Sequence, residues 1–440
     1  MLKTLRNALK IKDIRNKILY TFLMLVVVRI GSLLPIPGVD TSYFSQLFSG
    51  AGDAFSFLDA FTGGSFLSMS IFALSITPYI TSSIIMQLLT IAIPALEEMQ
   101  KEGEDGRKKI AEITRYVTVV LALIESIAMA IGFGNQGLIA NSASLSKFEY
   151  VSSIVVIVVT LTAGSAFLMW IGERITEKGV GNGISIVLLF NIVSRIPDDL
   201  YGLYTQFVAS NPNIAKAVLA AIIILAVIIA MVVFVCLLQD AIRKIPVQYA
   251  QKIQGRKSVG GQSSNIPLKV NTAGVIPVIF ASSLMQTPVI IARFFVSGTP
   301  EWIKYLSSSY WCNPKDMKYT IGLVLYIVLI VFFAYFYTEI TFNPLEIANN
   351  MKKQGGFIPG IRPGKPTSDY LTKILRYIIF IGACGLIIVA VVPIICSGVF
   401  NASVSFSGTS IIIIVGVILE TLKQIESQML VRNYKGFLSE

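Results

Sequence analysis

The 440-residue chain contains no histidine. The commonest general base and metal ligand is therefore missing, and enzyme chemistry starts at a disadvantage. Cysteine is scarce too. Cys236, Cys312, Cys384 and Cys396 are too scattered for a disulfide framework or a metal site. Charged residues make up only 14% of the chain, against roughly 25% in a water-soluble protein. No small-residue cleavage site follows the first apolar run, residues 18–34; "SLLPIPGVD" follows instead, so the run reads as a retained span, not a signal peptide. "GKPT" at residues 364–367 lacks the spacing of a phosphate-binding loop.

What is present is apolar. Hydrophobic residues are 54% of the chain, and the charges cluster between ten apolar runs. The runs cover 18–34, 71–93, 116–133, 151–171, 183–196, 215–239, 273–295, 319–341, 375–395 and 409–425. Most approach the length a helix needs to cross a bilayer, so the fold class expected is an all-α polytopic membrane protein. Lys and Arg divide unevenly between the two sides. One alternating set of segments, which includes both termini, carries 28 of the 36, the opposite set seven, and Arg29 lies within the first run. The positive-inside rule puts both termini in the cytoplasm.

A phrase recurs. "ITPYITSSIIMQ" at residues 76–87 and "VIPVIFASSLMQ" at 275–286 align on Pro78 and Pro277, sharing Ile80/Ile279, Ser83/Ser282, Met86/Met285 and Gln87/Gln286. They fall in the second and seventh runs, the second member of each set of five. Five spans reverse the starting side, so residues 1–197 and 198–440 are expected to be halves inverted relative to each other. Prolines inside spans are expected to bend them, and the serines to line something wetter than lipid. Ile76 and Ile80 share a helical face, as do Ile184 and Leu188; for any isoleucine in a span, lipid contact or packing is the ordinary role. Glu125 and Arg29 are ionisable groups at depth, too far apart for an ion pathway. Residues 55–70, jointed at Gly63 and Gly64, are too short and broken to span. They read as a re-entrant segment or an external loop.

Two cytoplasmic loops, 240–270 and 342–374, are basic and rich in Gly and Pro. Anionic lipid would attract them, but shaped turns suit docking to an acidic partner, RNA or protein.

"RIGSLLPIPGVD", "FALSITPYITSSIIMQLL", "ERITEKGVGNGISI", "IPVQYA", "GGQSSNIPLKVNTAGVIPVIFASS", "FIPGIRPG" and "FSGTS" occur in that order. Together they resemble the SecY family, the central subunit of the bacterial protein-translocation channel, over essentially the whole chain. Ser75, and Ser407 before Gly408, stand where that family often has glycine. The resemblance implies an hourglass of two inverted halves in the plasma membrane, with polypeptide passing along its axis. It implies a pore ring of Ile76, Ile80, Ile184, Leu188, Ile279 and Ile413. Segment 55–70 would be a plug, with Phe61, Gly63, Gly64, Phe66 and Leu67. Spans two and seven would form a lateral gate lined by Thr81, Ser82, Gln87, Glu125, Asn271, Ser282, Ser283 and Gln286. Arg243, Lys244, Lys252, Arg256, Lys257, Lys352, Lys353 and Arg362 would dock the ribosome and the SecA ATPase. The other partners implied are SecE-like and SecG-like small subunits, secretory and membrane-protein precursors, and membrane lipids. No cofactor or catalytic residue is implied, since partners supply the energy. The competing function is an inverted-repeat transporter of a small solute, which would need a polar site at the midplane.

Overall fold

The computed structural model describes residues 6, 9–41, 59, 61–134, 139, 146–209, 214–249, 252–254, 257–259, 263–295, 300–312, 316–400 and 408–437. Among the described residues ten long helices follow one another: α1 (Lys12–Leu33), α2 (Thr77–Ala92), α3 (Glu104–Phe133), α4 (Lys147–Lys178), α5 (Gly183–Leu203), α6 (Ile214–Asp240), α7 (Ile276–Phe295), α8 (Ile321–Thr341), α9 (Lys365–Phe400) and α10 (Gly408–Phe437). They occur in the order of the ten apolar runs. Seven of the spans are long and apolar enough to cross a bilayer. An eighth is made if α2 is counted with the short helix Pro94–Lys101, which bends away from it by 101°.

Local chemistry sets several of the starts. Ser146 and Glu149 close a reciprocal capping box at the head of α4. The Asn182 side chain accepts from the Ile184 and Ser185 amides at the head of α5. The two repeat prolines correct an expectation. Pro78 sits in the first turn of α2, and Pro277 is the second residue of α7. There the missing N–H needs no partner and the fixed φ favours helix, so the prolines start these helices and do not bend them. The stretch before α2, residues 63–76, is a chain of turns. It is tied to the extended segment after α1: the Ile36 amide donates to the Met69 carbonyl and the Ile71 amide to that of Leu34, each at 3.0 Å.

Lipid tails are as apolar as leucine, so close packing has to hold the helices together. Gly183 shows how. A Cβ there would lie 1.9 Å from the Gly172 carbonyl, so α4 and α5 touch backbone to backbone. One cluster joins α6, α7, α8, α9 and α10 through Val235, Val278, Ile330, Val389 and Ile412. Another joins α1, α4 and α5 to the turns before α2 through Val28, Leu168, Val187 and Phe72.

On the chain beyond α6, β1 (Ile242–Tyr249) pairs antiparallel with β4 (Ser263–Lys269); β2 (Lys252–Gln254) and β3 (Lys257–Val259) form a separate ribbon. The far edge of β1 pairs with β5 (Gly356–Phe357) from the other large loop, Gln248 opposite Phe357 and Tyr249 opposite Gly356. The two basic loops are therefore one three-stranded unit. Its inner face, Ile245, Val247 and Leu268, packs with Leu371 and Leu375 of α9.

Candidate conducting site

Four helices meet on one aliphatic cluster. Leu188 and Ile192 of α5 and Ile413 of α10 are buried. Ile80 of α2 and Ile279 of α7 pack against them, with Val275 just before α7 and Phe61 from the segment after α1. Four of the six residues expected in a ring are gathered here, and two are not. Ile76 is 1% exposed in the neighbouring cluster, with Phe72, Leu168 and Ile171. Ile184 lies in the first turn of α5, against Gly172. Ile184 packs with Ile76, Leu168 and Ile171, a cluster that Ile80 also touches, while Leu188 and Ile192 pack with Ile413. Ile192 is a member of this cluster that is not among the six residues the resemblance implies. Four residues after Leu188, it shares the face as well as Ile184 does, and only packing separates the two.

The segment over the cluster is described at residue 59 and from residue 61 on; residues 55–58 and 60 lie outside the described residues. Phe61 faces the cluster. Phe66 and Leu67 instead pack sideways with Met129 and Phe133 of α3 and Ile157 and Leu161 of α4. Gly63 (φ +69°) runs against α5, where a Cβ would come 2.9 Å from Ser194 Oγ and 3.0 Å from the Asn191 carbonyl. Polar groups on the spans hold this backbone. Arg29 Nη1 donates to the Gly63 carbonyl at 3.1 Å and to Ser194 Oγ at 3.3 Å. Asn191 Nδ2 donates to the Phe61 carbonyl at 3.4 Å and to Ser75 Oγ at 3.1 Å. Arg195 Nη2 pairs with Asp59 Oδ2 at 2.8 Å. Asn191 and Arg195, one helical turn apart in an apolar run, carried that signal in the sequence.

Between α2 and α7–α8 lies a narrow apolar cleft lined by Ile84, Leu88, Phe280, Phe333, Phe336 and the ends of Gln87 and Tyr337. The Tyr337 hydroxyl donates to Gln87 Oε1 across it at 3.3 Å. Of the residues expected at the gate, Thr81 and Gln286 are half-buried, and Gln87 and Ser283 are exposed. Ser282 is buried and donates to the Ile279 carbonyl within α7. Ser82 is buried against α3, sharing a hydrogen bond with Thr118 at 2.5 Å, so it does not face α7. Asn271 is buried in the turn before α7. A Cβ on Gly382 of α9 would reach its Cα at 3.8 Å, so Asn271 belongs to the root of α7. Glu125 is half-buried on α3.

Arg243, Lys244, Lys352, Lys353 and Arg362 are all exposed on the three-stranded unit and its flanks. Thr367 Oγ1 donates to the Arg362 carbonyl at 2.9 Å and fixes that turn. Arg256 and the side chains of Lys252 and Lys257 lie outside the described residues.

The family model of SecY matches residues 70–422. The protein translocase subunit SecY of Bacillus subtilis (strain 168) is 45% identical over 442 residues, covering 100% of both chains. The chain belongs to the SecY family. Solved structures share the fold of this SecY-family chain at low identity. One, described as showing that the plug domain of SecY stabilises the closed state of the translocation channel and maintains a membrane seal, is 18% identical with a TM-score of 0.64. It covers 95% of this chain and 93% of that one. Sec61 in the canine ribosome–channel complex from the endoplasmic reticulum is 17% identical with a TM-score of 0.60, over the same shares.

Proposed function

We propose that this SecY-family chain is a protein-conducting channel that moves unfolded polypeptide across the plasma membrane and releases apolar segments sideways into lipid. The meeting of α2, α5, α7 and α10 on one aliphatic cluster carries this conclusion. Such a collar excludes ions by dewetting, and it offers a sliding chain no hydrogen bonds to hold it back. The ring is Ile80, Leu188, Ile192, Ile279 and Ile413. Segment 59–67 is the plug, seated by Phe61. The gate is the cleft between α2 and α7–α8, clasped by Gln87 and Tyr337. The two halves, residues 1–197 and 198–440, part along it, and both termini are cytoplasmic. The basic three-stranded unit is the docking surface for the ribosome and for a SecA-type motor, and SecE-like and SecG-like subunits complete the assembly. The chain itself hydrolyses nothing.

Crosslinking tests the path. A secretory chain stalled in transit should crosslink to cysteines placed at Ile80 and at Ile192, and not to one at Ile184. Equal yields at Ile184 and Ile192 would remove the proposed ring, and no crosslink at any of the three would remove the axis as the route.

A further inference from the structure

Apolar packing alone would seat the segment over the cluster, yet its contact with α5 contains a buried charge. The Asp59 side chain is 0% exposed. Its Oδ1 accepts from the Leu67 amide at 3.0 Å, and its Oδ2 lies 2.8 Å from Arg195 Nη2. The latter is an ion contact without hydrogen-bond alignment, and Arg195 Nε is buried with no acceptor among the described residues. The other ties from the spans, from Arg29 to the Gly63 carbonyl and from Asn191 to the Phe61 carbonyl, end on neutral backbone and survive any change of charge at residue 59.

We propose that Arg195 is a positioning residue that keeps segment 59–67 seated by neutralising Asp59, so that the resting seal depends on this pair. The inference rests on the reading of the segment as a plug. An ionised carboxylate without its counter-charge is costly to hold away from water. With Arg195 gone, Asp59 regains hydration only when the segment leaves. The pair is then interdependent: losing the cation alone unseats the segment, and losing both charges does not.

Among the described residues the charged groups around Asp59 are few. Arg195 and Asp198 come from α5, with Asp198 Oδ2 3.8 Å from Arg195 Nη1 and well exposed, and Arg29 of α1 lies on the Gly63 carbonyl. Burial already pushes the Asp59 carboxyl above its ordinary range, against the pull of Arg195. A carboxyl whose seated pKa lies above its value in water seats better as pH falls through the seated pKa. Acid should therefore reseal a channel that has lost Arg195.

The test is resting ion conductance of the complete membrane complex in planar bilayers without precursor. Arg195→Gln is expected to raise it by about tenfold or more, the order expected when one partner of a buried pair is removed. Lowering the external pH should bring that leak down, and Asp59→Asn added to Arg195→Gln should bring it to near the native level at every pH. A native conductance in Arg195→Gln overturns the proposal. So does a double variant as leaky as the single one, or a leak indifferent to pH. Deletion of residues 59–67 separates the two layers. If deletion leaks and Arg195→Gln does not, the plug stands and the pair falls; if deletion does not leak, the plug reading itself falls.

Discussion

Ser75 holds a left-handed backbone, φ 51°, immediately before the turn into α2. That region costs a residue with a Cβ about 1–2 kcal/mol, which is the physical reason for glycine at such a place. Serine is kept by what its polar atoms do. Its Oγ accepts from Asn191 Nδ2 at 3.1 Å, and its carbonyl accepts from Ser165 Oγ at 3.3 Å. Ser75→Gly should therefore change stability by less than about 1 kcal/mol, because relief of strain offsets a lost hydrogen bond. Ser75→Ala keeps the strain and strips a buried amide of one acceptor, so it should cost about 1–3 kcal/mol. Thermal unfolding in detergent measures both, and an alanine variant as stable as the glycine variant would contradict this account. The sequence marked Ser75 as a departure but not what balances it, since Asn191 lies 116 residues away. The same limit applies to the ring. Leu188 was expected there from the family resemblance and not from spacing, and what separates Ile192 from Ile184 is packing, which spacing does not show.

At the scale of elements, the order of all ten helices was legible because bilayer thickness imposes a run length that composition reveals. The two repeat prolines are ambiguous in sequence because the same residue type starts a helix or kinks one, and the run of apolar turns at 63–76 hides the true start of α2. The joining of the two basic loops was not legible at all. β5 is two residues long, and no pattern so short declares a partner more than a hundred residues back. That joining has a consequence. The Arg362 turn, held by Thr367, follows β5 of the same three-stranded unit that carries Arg243 and Lys244. Arg362→Glu should lower motor-driven export by about tenfold or more, in the range seen for a reversed charge at a docking contact, while the protein still inserts and binds its small subunits. Export into reconstituted vesicles measures it; undiminished export would take Arg362 out of the docking surface.

At the scale of the whole molecule, the proposed function asks two opposing things of the aliphatic cluster: to stop ions at rest and to let a chain through when the halves part. Apolar side chains from four helices meet there, so opening the cluster itself breaks dispersion contacts, and the Tyr337–Gln87 hydrogen bond is a polar tie at the proposed gate. Ion exclusion depends on the absence of polar groups to replace a hydration shell. Replacing both Ile80 and Ile279 with serine places hydroxyls from α2 and α7 in the aliphatic cluster, so the resting conductance should rise well above background. The matched control is Ile76→Ser with Ile184→Ser. Ile76 is sealed in the cluster of α1, α4 and α5, and Ile184 sits on Gly172, so this pair should cost stability, on the order of 2–5 kcal/mol for two damaged core sites. It should leave any surviving channel tight. Single-channel recording beside a melting curve distinguishes the two variants. If the Ile76/Ile184 variant conducts and the Ile80/Ile279 variant does not, the barrier lies one helical turn away, toward the start of α2, and the cluster is packing alone.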